Sequence, residues 1–398
     1  MERIKGIFQN AINRAKRIIG NRNFKRYSPL IIVALLAAIT FATCVPRSAP
    51  EPEPPVILEP PPSLEPSADP EPTPDPDPDP DPVLEPDLPY DGPVNPLTGL
   101  PTETDLTNTR PLAFVINNIR VALPQLGISQ ADIIYETLVE GGITRMLALY
   151  QDVSEVGVIG SIRSSRLYFV DIVQSYDAIF MFGGGSPQAY SALRSRDITR
   201  CDGVAGPRPE VYYRDQHRRS SMGSEHSLVT SGSRIMQHFP TYDIRFEHPD
   251  GYERALSFAD DGAPAGGSPA LDFSVSFSSS KTTSFKYNED DKLYYLRQYD
   301  RDYIDGNDNT QLAFTNVLIL RATVSRVRGD TEGRLDIVTK GSESGYFVCG
   351  GKYVEINWAR ADDESQFSYT QADGSELVFG RGKTYICIVP KDSNVIIS

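Results

Sequence analysis

Asn117, Arg120, Glu140, Arg145, Arg163, Arg166 and Ser186 fall at the ends of apolar runs or beside glycines. Asn117 and Arg120 follow the run Leu112-Ala-Phe-Val-Ile. Glu140 and Arg145 bracket Gly141-Gly142. Arg163 and Arg166 flank Ser164-Ser165 ahead of a helical stretch, and Ser186 closes Gly183-Gly-Gly. In open α/β sheets ligands collect beyond the carboxyl ends of strands. Guanidinium forks and free helix N-termini suit a phosphate or a carboxylate. Singly, each arginine is more often a surface or ion-paired residue. As a set they outline an anion- or ligand-binding pocket.

Other chemistries lack their parts. His217, His226, His238 and His248 show no HExxH or HxH spacing, so no zinc site is expected. Ser164 or Ser186 with His226 and an acid makes a triad only on paper, because no G-x-S-x-G elbow exists. Asp300 to Gly306 resembles a calcium loop until counted: its glycine falls at the seventh position instead of the sixth, and a plain turn is the better reading. Gly183-Gly-Gly-Ser lacks the lysine of a P-loop. No cofactor and no metal are expected, and no complete catalytic motif decides for or against an enzyme.

Leu112–Asn117, Ala131–Glu136, Met146–Tyr150 and Ala178–Phe182 read as strands, Ser165–Val173 as a helix, and Gly183–Tyr190 as a glycine turn opening another. Small residues at 259–268 mark a boundary. Beyond it Leu293–Gln298, Asn316–Ile319, Leu335–Thr339, Tyr346–Cys349, Tyr353–Trp358 and Thr384–Val389 read as short strands. The expected class is α+β: an N-terminal α/β sandwich domain over 97–262, followed by a smaller strand-rich domain over 269–398. Cys201, Cys349 and Cys387 have no metal-like spacing. Cys349 and Cys387 either pair or stay as separate buried thiols.

The preceding residues set the compartment. Residues 1–29 carry eight cations and a single acid, Glu2. Residues 30–45 are uncharged and mostly apolar. Cations before an apolar run stay cytoplasmic and send the following chain across. The run is a signal peptide cleaved before a lipid-bearing Cys44 or an uncleaved anchor near the short limit for a span. Residues 46–96 hold 20 of the 32 prolines and 13 acids against Arg47. That composition favours a disordered, extended spacer, with a reach of about 150 Å at roughly 3.1 Å per residue. With a net charge of −14, no nucleic-acid partner is expected. The expected place is the cell membrane, on its extracytoplasmic side. The expected partners are the membrane itself, through the N-terminus, and a cell-wall polymer or lipid-linked precursor.

The motifs carry a family resemblance. Asn95-Pro-Leu-Thr-Gly-Leu-Pro101, Ser129-Gln-Ala-Asp-Ile-Ile-Tyr-Glu136, Glu140-Gly-Gly-Ile-Thr-Arg145, Gly160-Ser-Ile-Arg-Ser-Ser-Arg166 and Gly184-Gly-Ser-Pro-Gln-Ala-Tyr190 are quite specific. Asn316-Val317, Gly351-Lys352, Trp358 and Gly382-Lys-Thr384 add to them. Over about residues 95–398 the chain resembles the YerB-like lipoprotein family, whose two parts are known as domain of unknown function 3048. It departs at Ser224-Glu-His226, where such proteins tend to have Pro-His-Asn, and at Met181-Phe182, where a histidine is commoner. The resemblance implies a two-domain envelope protein and little chemistry. The functional expectation is a membrane-tethered envelope protein that binds or scaffolds. The alternative is an enzyme acting on polyprenyl-pyrophosphate-linked wall precursors, similar in layout to the LytR–CpsA–Psr glycopolymer transferases.

Overall fold

Three of the apolar runs become the centre of one large sheet. In the computed structural model, which describes residues 92–398, β1 (Leu112–Asn117), β2 (Ile133–Leu138) and β3 (Thr144–Tyr150) are buried along their whole length. A strand covered on both faces needs apolar side chains at nearly every position, so it reads as a run rather than an alternation. β3 lies antiparallel between β1 and β2, which therefore point the same way and finish at the same end of the sheet. A short strand, β4 (Val158–Gly160), belongs to a separate three-stranded sheet. β1 continues in parallel to β5 (Ile179–Phe182), and β5 to β6 (Arg200–Asp202). Helices α1 (Leu167–Ser175) and α2 (Pro187–Ser195) flank β5 in the chain. Ser186 caps α2 by accepting from Ala189 N at 3.2 Å, and Pro187 opens its first turn.

The C-terminal segment completes this sheet. Thr384–Pro390 runs parallel to β2 on one side and to Asn316–Ala322 on the other. Gly341–Cys349 and Lys352–Arg360 extend it antiparallel, to eleven strands in all. Asp272–Ser278, Lys281–Asn288 and Leu293–Gln298, with three shorter strands, form a second, six-stranded sheet. That sheet covers one face of the first: Phe114, Ile134 and Met146 share a core with Phe273, Phe285 and Tyr385. The other face lies under the helices, where Ala113, Val115 and Leu147 pack with Phe169, Ile172 and Leu193.

The expected change of character along the chain is present in content. The four α-helices among the described residues precede residue 239, and the molecule is richer in strand than a balanced α/β arrangement. The two parts share the eleven-stranded sheet. The described residues belong to one compact unit, because the edges of β2 and Thr384–Pro390 satisfy each other's backbone groups. The spacer also ends earlier than residue 96. Asn95 Nδ2 donates to Asp132 Oδ1 at 2.9 Å, and Val94 bridges to Pro101, so Gly92–Pro96 belongs to the folded body. The basic segment, the apolar run, Cys44 and the spacer up to residue 91 lie outside the described residues. Among the described residues no helix is long and apolar enough to cross a membrane. Cys201, Cys349 and Cys387 are free and buried.

The shared sheet generates a test. Gly266 and Gly267 lie in a turn, and a Cβ added at Gly266 would meet nothing within 4 Å. A chain cut between them should still elute as one particle in size-exclusion chromatography and come apart only in denaturant. Elution of two separate folded pieces would overturn the single-sheet account.

Candidate functional site

The site lies where β1 and β2 end and β3 begins. Alternation along the strands sends successive side chains to opposite faces. Asn117, Thr137 and Arg145 stand in register on the helix-covered face. The β2–β3 hairpin turns through Glu140–Gly142. Gly141 and Gly142 take φ of 79° and 72°, a region costly for any residue with a Cβ. The turn sets Glu140 back over Arg145. A third piece is the extended segment 161–165. It is held to β1 by Asn117 N to Ser161 O and Arg163 N to Val115 O, and to the glycine turn by Ser165 N to Gly184 O. It delivers Arg163 beside the strand ends and Arg166 to the N-cap of α1.

One carboxylate serves several guanidinium groups. Arg166 Nε donates to Glu140 Oε2 at 3.0 Å, and its Nη2 to Oε1. Arg145 Nη2 lies 3.6 Å from Oε1, and its Nη1 donates to Ser164 O at 2.9 Å. Arg163 Nη1 donates to Glu225 O at 2.5 Å, while its Nε is buried with no acceptor in the protein. Arg145 and Arg166 are each only 5% exposed, so their charges are poorly screened. Burial, and the charge of Arg166 beside it, push Arg145 down to about 9 against the pull of Glu140. It remains charged at neutral pH. Burial raises the Glu140 carboxyl, but the hydrogen bond and charge of Arg166 and the charge of Arg145 outweigh it, leaving the group below its usual range. The local balance is cationic.

Asn117 Nδ2 donates to His226 Nδ1 at 2.9 Å, which places the imidazole proton on Nε2, 3.5 Å from Glu225 Oε1. Burial and then Arg163 hold His226 below its usual range, so the ring is neutral at pH 7. Of the residues expected at the site, Asn117, Glu140, Arg145, Arg163 and Arg166 are brought together. Arg120 is not. It is exposed at the start of the turn Arg120–Ala122, and its charge acts on Tyr299 instead. Ser186 is spent as the α2 cap, and Ser164 Oγ donates to Gly183 O, so neither serine meets His226 in a triad. The bond from Asn117 to His226 spans 109 residues and leaves no local signal in the sequence.

A second polar cluster occupies the opposite face at the same end. Glu136, fully buried, accepts from Asn118 Nδ2, Thr144 Oγ1, Thr283 Oγ1 and Tyr385 OH, with Lys281 Nζ 3.4 Å away. A cavity of about 760 Å³ lies elsewhere, lined by Ser129, Asp260, Tyr295, Arg381 and Lys383 among others and by none of the site arginines. Among its charged groups Arg381 pairs with Asp260 and Lys383 donates to Ser129 O.

Comparison with known proteins follows these segments. Residues 97–245 match the N-terminal domain of the protein of unknown function DUF3048, and residues 273–386 match its C-terminal domain. The chain is 31% identical over 298 residues to the "Putative lipoprotein YerB" of Bacillus subtilis strain 168, covering 74% of this chain and 86% of that one. The crystal structure of YerB from Bacillus subtilis is similar with a TM-score of 0.66 and 27% identity, covering 76% of this chain and 99% of that one. The layout analogy with the LytR–CpsA–Psr enzymes gains no support from these comparisons.

Glu140→Gln keeps the shape and removes the charge that Arg145 and Arg166 share. It should cost about 1–3 kcal/mol in urea unfolding at pH 7, the penalty of leaving buried charged groups unsatisfied. Because the folded Glu140 pKa is depressed, its contribution is present above the usual carboxylate range, near 4.3, and is lost as pH falls through the lower folded value. The gap between parent and variant should hold from pH 7 to about 5 and close below that. A gap that stays constant down to pH 3 would remove Glu140 as the shared counter-ion.

Proposed function

The chain belongs to the DUF3048 family of proteins of unknown function, and from that premise we propose that it is a membrane-anchored, extracytoplasmic binding protein of the cell envelope whose arginine site takes a phosphate or carboxylate group. The observation that carries the ligand class is the sharing of Glu140 by Arg145 and Arg166, with Arg163 beside them and its Nε unspent. Guanidinium groups in excess over acid, at strand ends, form charge-assisted and often bidentate bonds to oxyanions. Binding is favoured over catalysis because the groups that could act as nucleophile or base are engaged: Ser186 in a cap, His226 with Asn117. The anchor reading rests on the basic flank, the apolar run, Cys44 and the name of the Bacillus relative. The spacer lets the body reach wall polymer or lipid-linked precursor, both rich in phosphate or carboxylate.

Arg163→Ala tests the ligand class. A hydrogen bond to an ionised group contributes about 1.5–3 kcal/mol, so affinity for inorganic pyrophosphate, titrated calorimetrically into the full chain in detergent, should fall tenfold or more. Equal affinity in parent and variant would end the anion-site reading. Cys44→Ala tests the anchor. The expected result is altered gel mobility and loss from the membrane fraction, whereas unchanged retention would show an uncleaved anchor in place of a lipid.

A further inference from the structure

Lys281, Asn118 and Glu136 come from three distant parts of the chain and meet inside the sandwich, with exposures of 3%, 0% and 0%. Glu136 projects from β2, Asn118 follows β1, and Lys281 opens the strand Lys281–Asn288 of the covering sheet. Glu136 Oε1 is the meeting point. Asn118 Nδ2 donates to it at 2.8 Å, Thr144 Oγ1 at 2.6 Å, and Lys281 Nζ lies 3.4 Å away. The other end of the Asn118 amide is also held: Tyr303 OH donates to Asn118 Oδ1 at 3.1 Å, and Tyr299 OH donates to its main-chain carbonyl at 2.6 Å. Lys281 Nζ sits over the Tyr299 ring, 4.3 Å from its centroid, and donates to Gln298 Oε1. Tyr385, whose hydroxyl donates to Glu136, stacks edge-on to Phe285 with ring centroids 5.2 Å apart.

As a purely structural device this is a poor arrangement. A buried ion pair pays a desolvation cost that its attraction seldom repays, and an apolar set of similar volume does as well or better. As a reacting set it has an amine, a carboxamide and a proton carrier gathered at one carboxylate oxygen. An amine stands on the same carboxylate oxygen as the nitrogen of a carboxamide, and the carboxamide oxygen faces a phenol donor. We propose that Lys281 and Asn118 form an intramolecular amide cross-link, with Glu136 as the proton carrier.

The step balances without any co-reactant. Neutral Lys281 Nζ attacks Asn118 Cγ and the new C–N bond forms. Charge develops on Oδ1, where the Tyr303 hydroxyl already points, in the position of an oxyanion-hole donor. Glu136 takes the proton from Nζ and passes one to Nδ2, acting as base and then as acid. The Cγ–Nδ2 bond breaks and ammonia leaves. Nothing is oxidised or reduced. Burial lowers the Lys281 pKa against the opposing pull of Glu136, which enlarges the neutral fraction of the amine. The linkage would tie the end of β1 to the covering sheet and does not depend on the arginine site being occupied.

The test is peptide mapping of the full chain, purified from membranes, denatured, digested and analysed by mass spectrometry. The expected product is a branched peptide joining the Asn118 segment to the Lys281 segment, lighter by one ammonia than the two together. Recovery of both segments only as separate, unmodified peptides overturns the proposal, and this measurement on the parent protein does not rely on any variant folding. Glu136→Gln preserves shape while removing the proton carrier, and it should lack the branched peptide. Tyr303→Phe removes the donor to Oδ1 and should slow its formation after synthesis. A branched peptide undiminished in Glu136→Gln overturns the role assigned to that residue.

Discussion

The parallel pairing of β2 with Thr384–Pro390 is the contact on which the rest of the molecule depends. It joins residues 133–137 to 384–388, so the sheet's centre is completed by a strand about 250 residues further along the chain. Both polar clusters follow from it. β2 sends Glu136 to one face, where Tyr385 of the partner strand reaches it. It then runs into the hairpin that places Glu140 over the arginines of the other face. Parallel pairs need long crossover connections and form late, since loop-closure entropy must be overcome first.

Several motifs that mark the family serve as staples. Asn95 bonds to Asp132, whose other carboxylate oxygen accepts from Gln151 N at 2.6 Å. Burial raises Asp132 to about 6 despite these bonds. Asp305, within the stretch that resembles a calcium loop, accepts from Gly127 N, Ser129 N and Ser129 Oγ, each at 2.9 Å, and so fastens the loop ahead of β2. Asp202 holds the glycine turn through Gly184 N at 2.8 Å and Tyr190 OH at 2.7 Å. Carboxylates satisfied by main-chain N–H groups cost little to bury and fix loops that carry no apolar residues. Glu140-Gly-Gly-Ile-Thr-Arg145 and Gly160-Ser-Ile-Arg-Ser-Ser-Arg166 differ: their side chains face one another across the site.

The central strands were legible because burial on both faces leaves long apolar runs, as in Leu112–Asn117. Asp272–Ser278 and Lys281–Asn288 carry a weaker apolar signal, since serine and threonine dilute their hydrophobicity. The signal there was alternation. Phe273, Val275 and Phe277 point inward on one strand, and Lys281, Thr283 and Phe285 on the next. That spacing would have put a lysine into the core and exposed the second cluster. The arginine set was legible as residues after strands and glycines, apart from Arg120, which the turn after β1 carries outward. The union of the two halves was not legible, because strand partners separated by about 250 residues leave no local trace.

The three free thiols bear on how the described body meets oxidants. Burial pushes Cys201 up to about 12 and Cys349 up to about 11, and Cys387 is raised as well. A thiol so protonated and enclosed is a poor nucleophile and a poor target for oxidants. No disulfide among the described residues has to form for the body to fold or to break for it to fail. The described body therefore holds its fold without a disulfide, and its three thiols are shielded from oxidants around it.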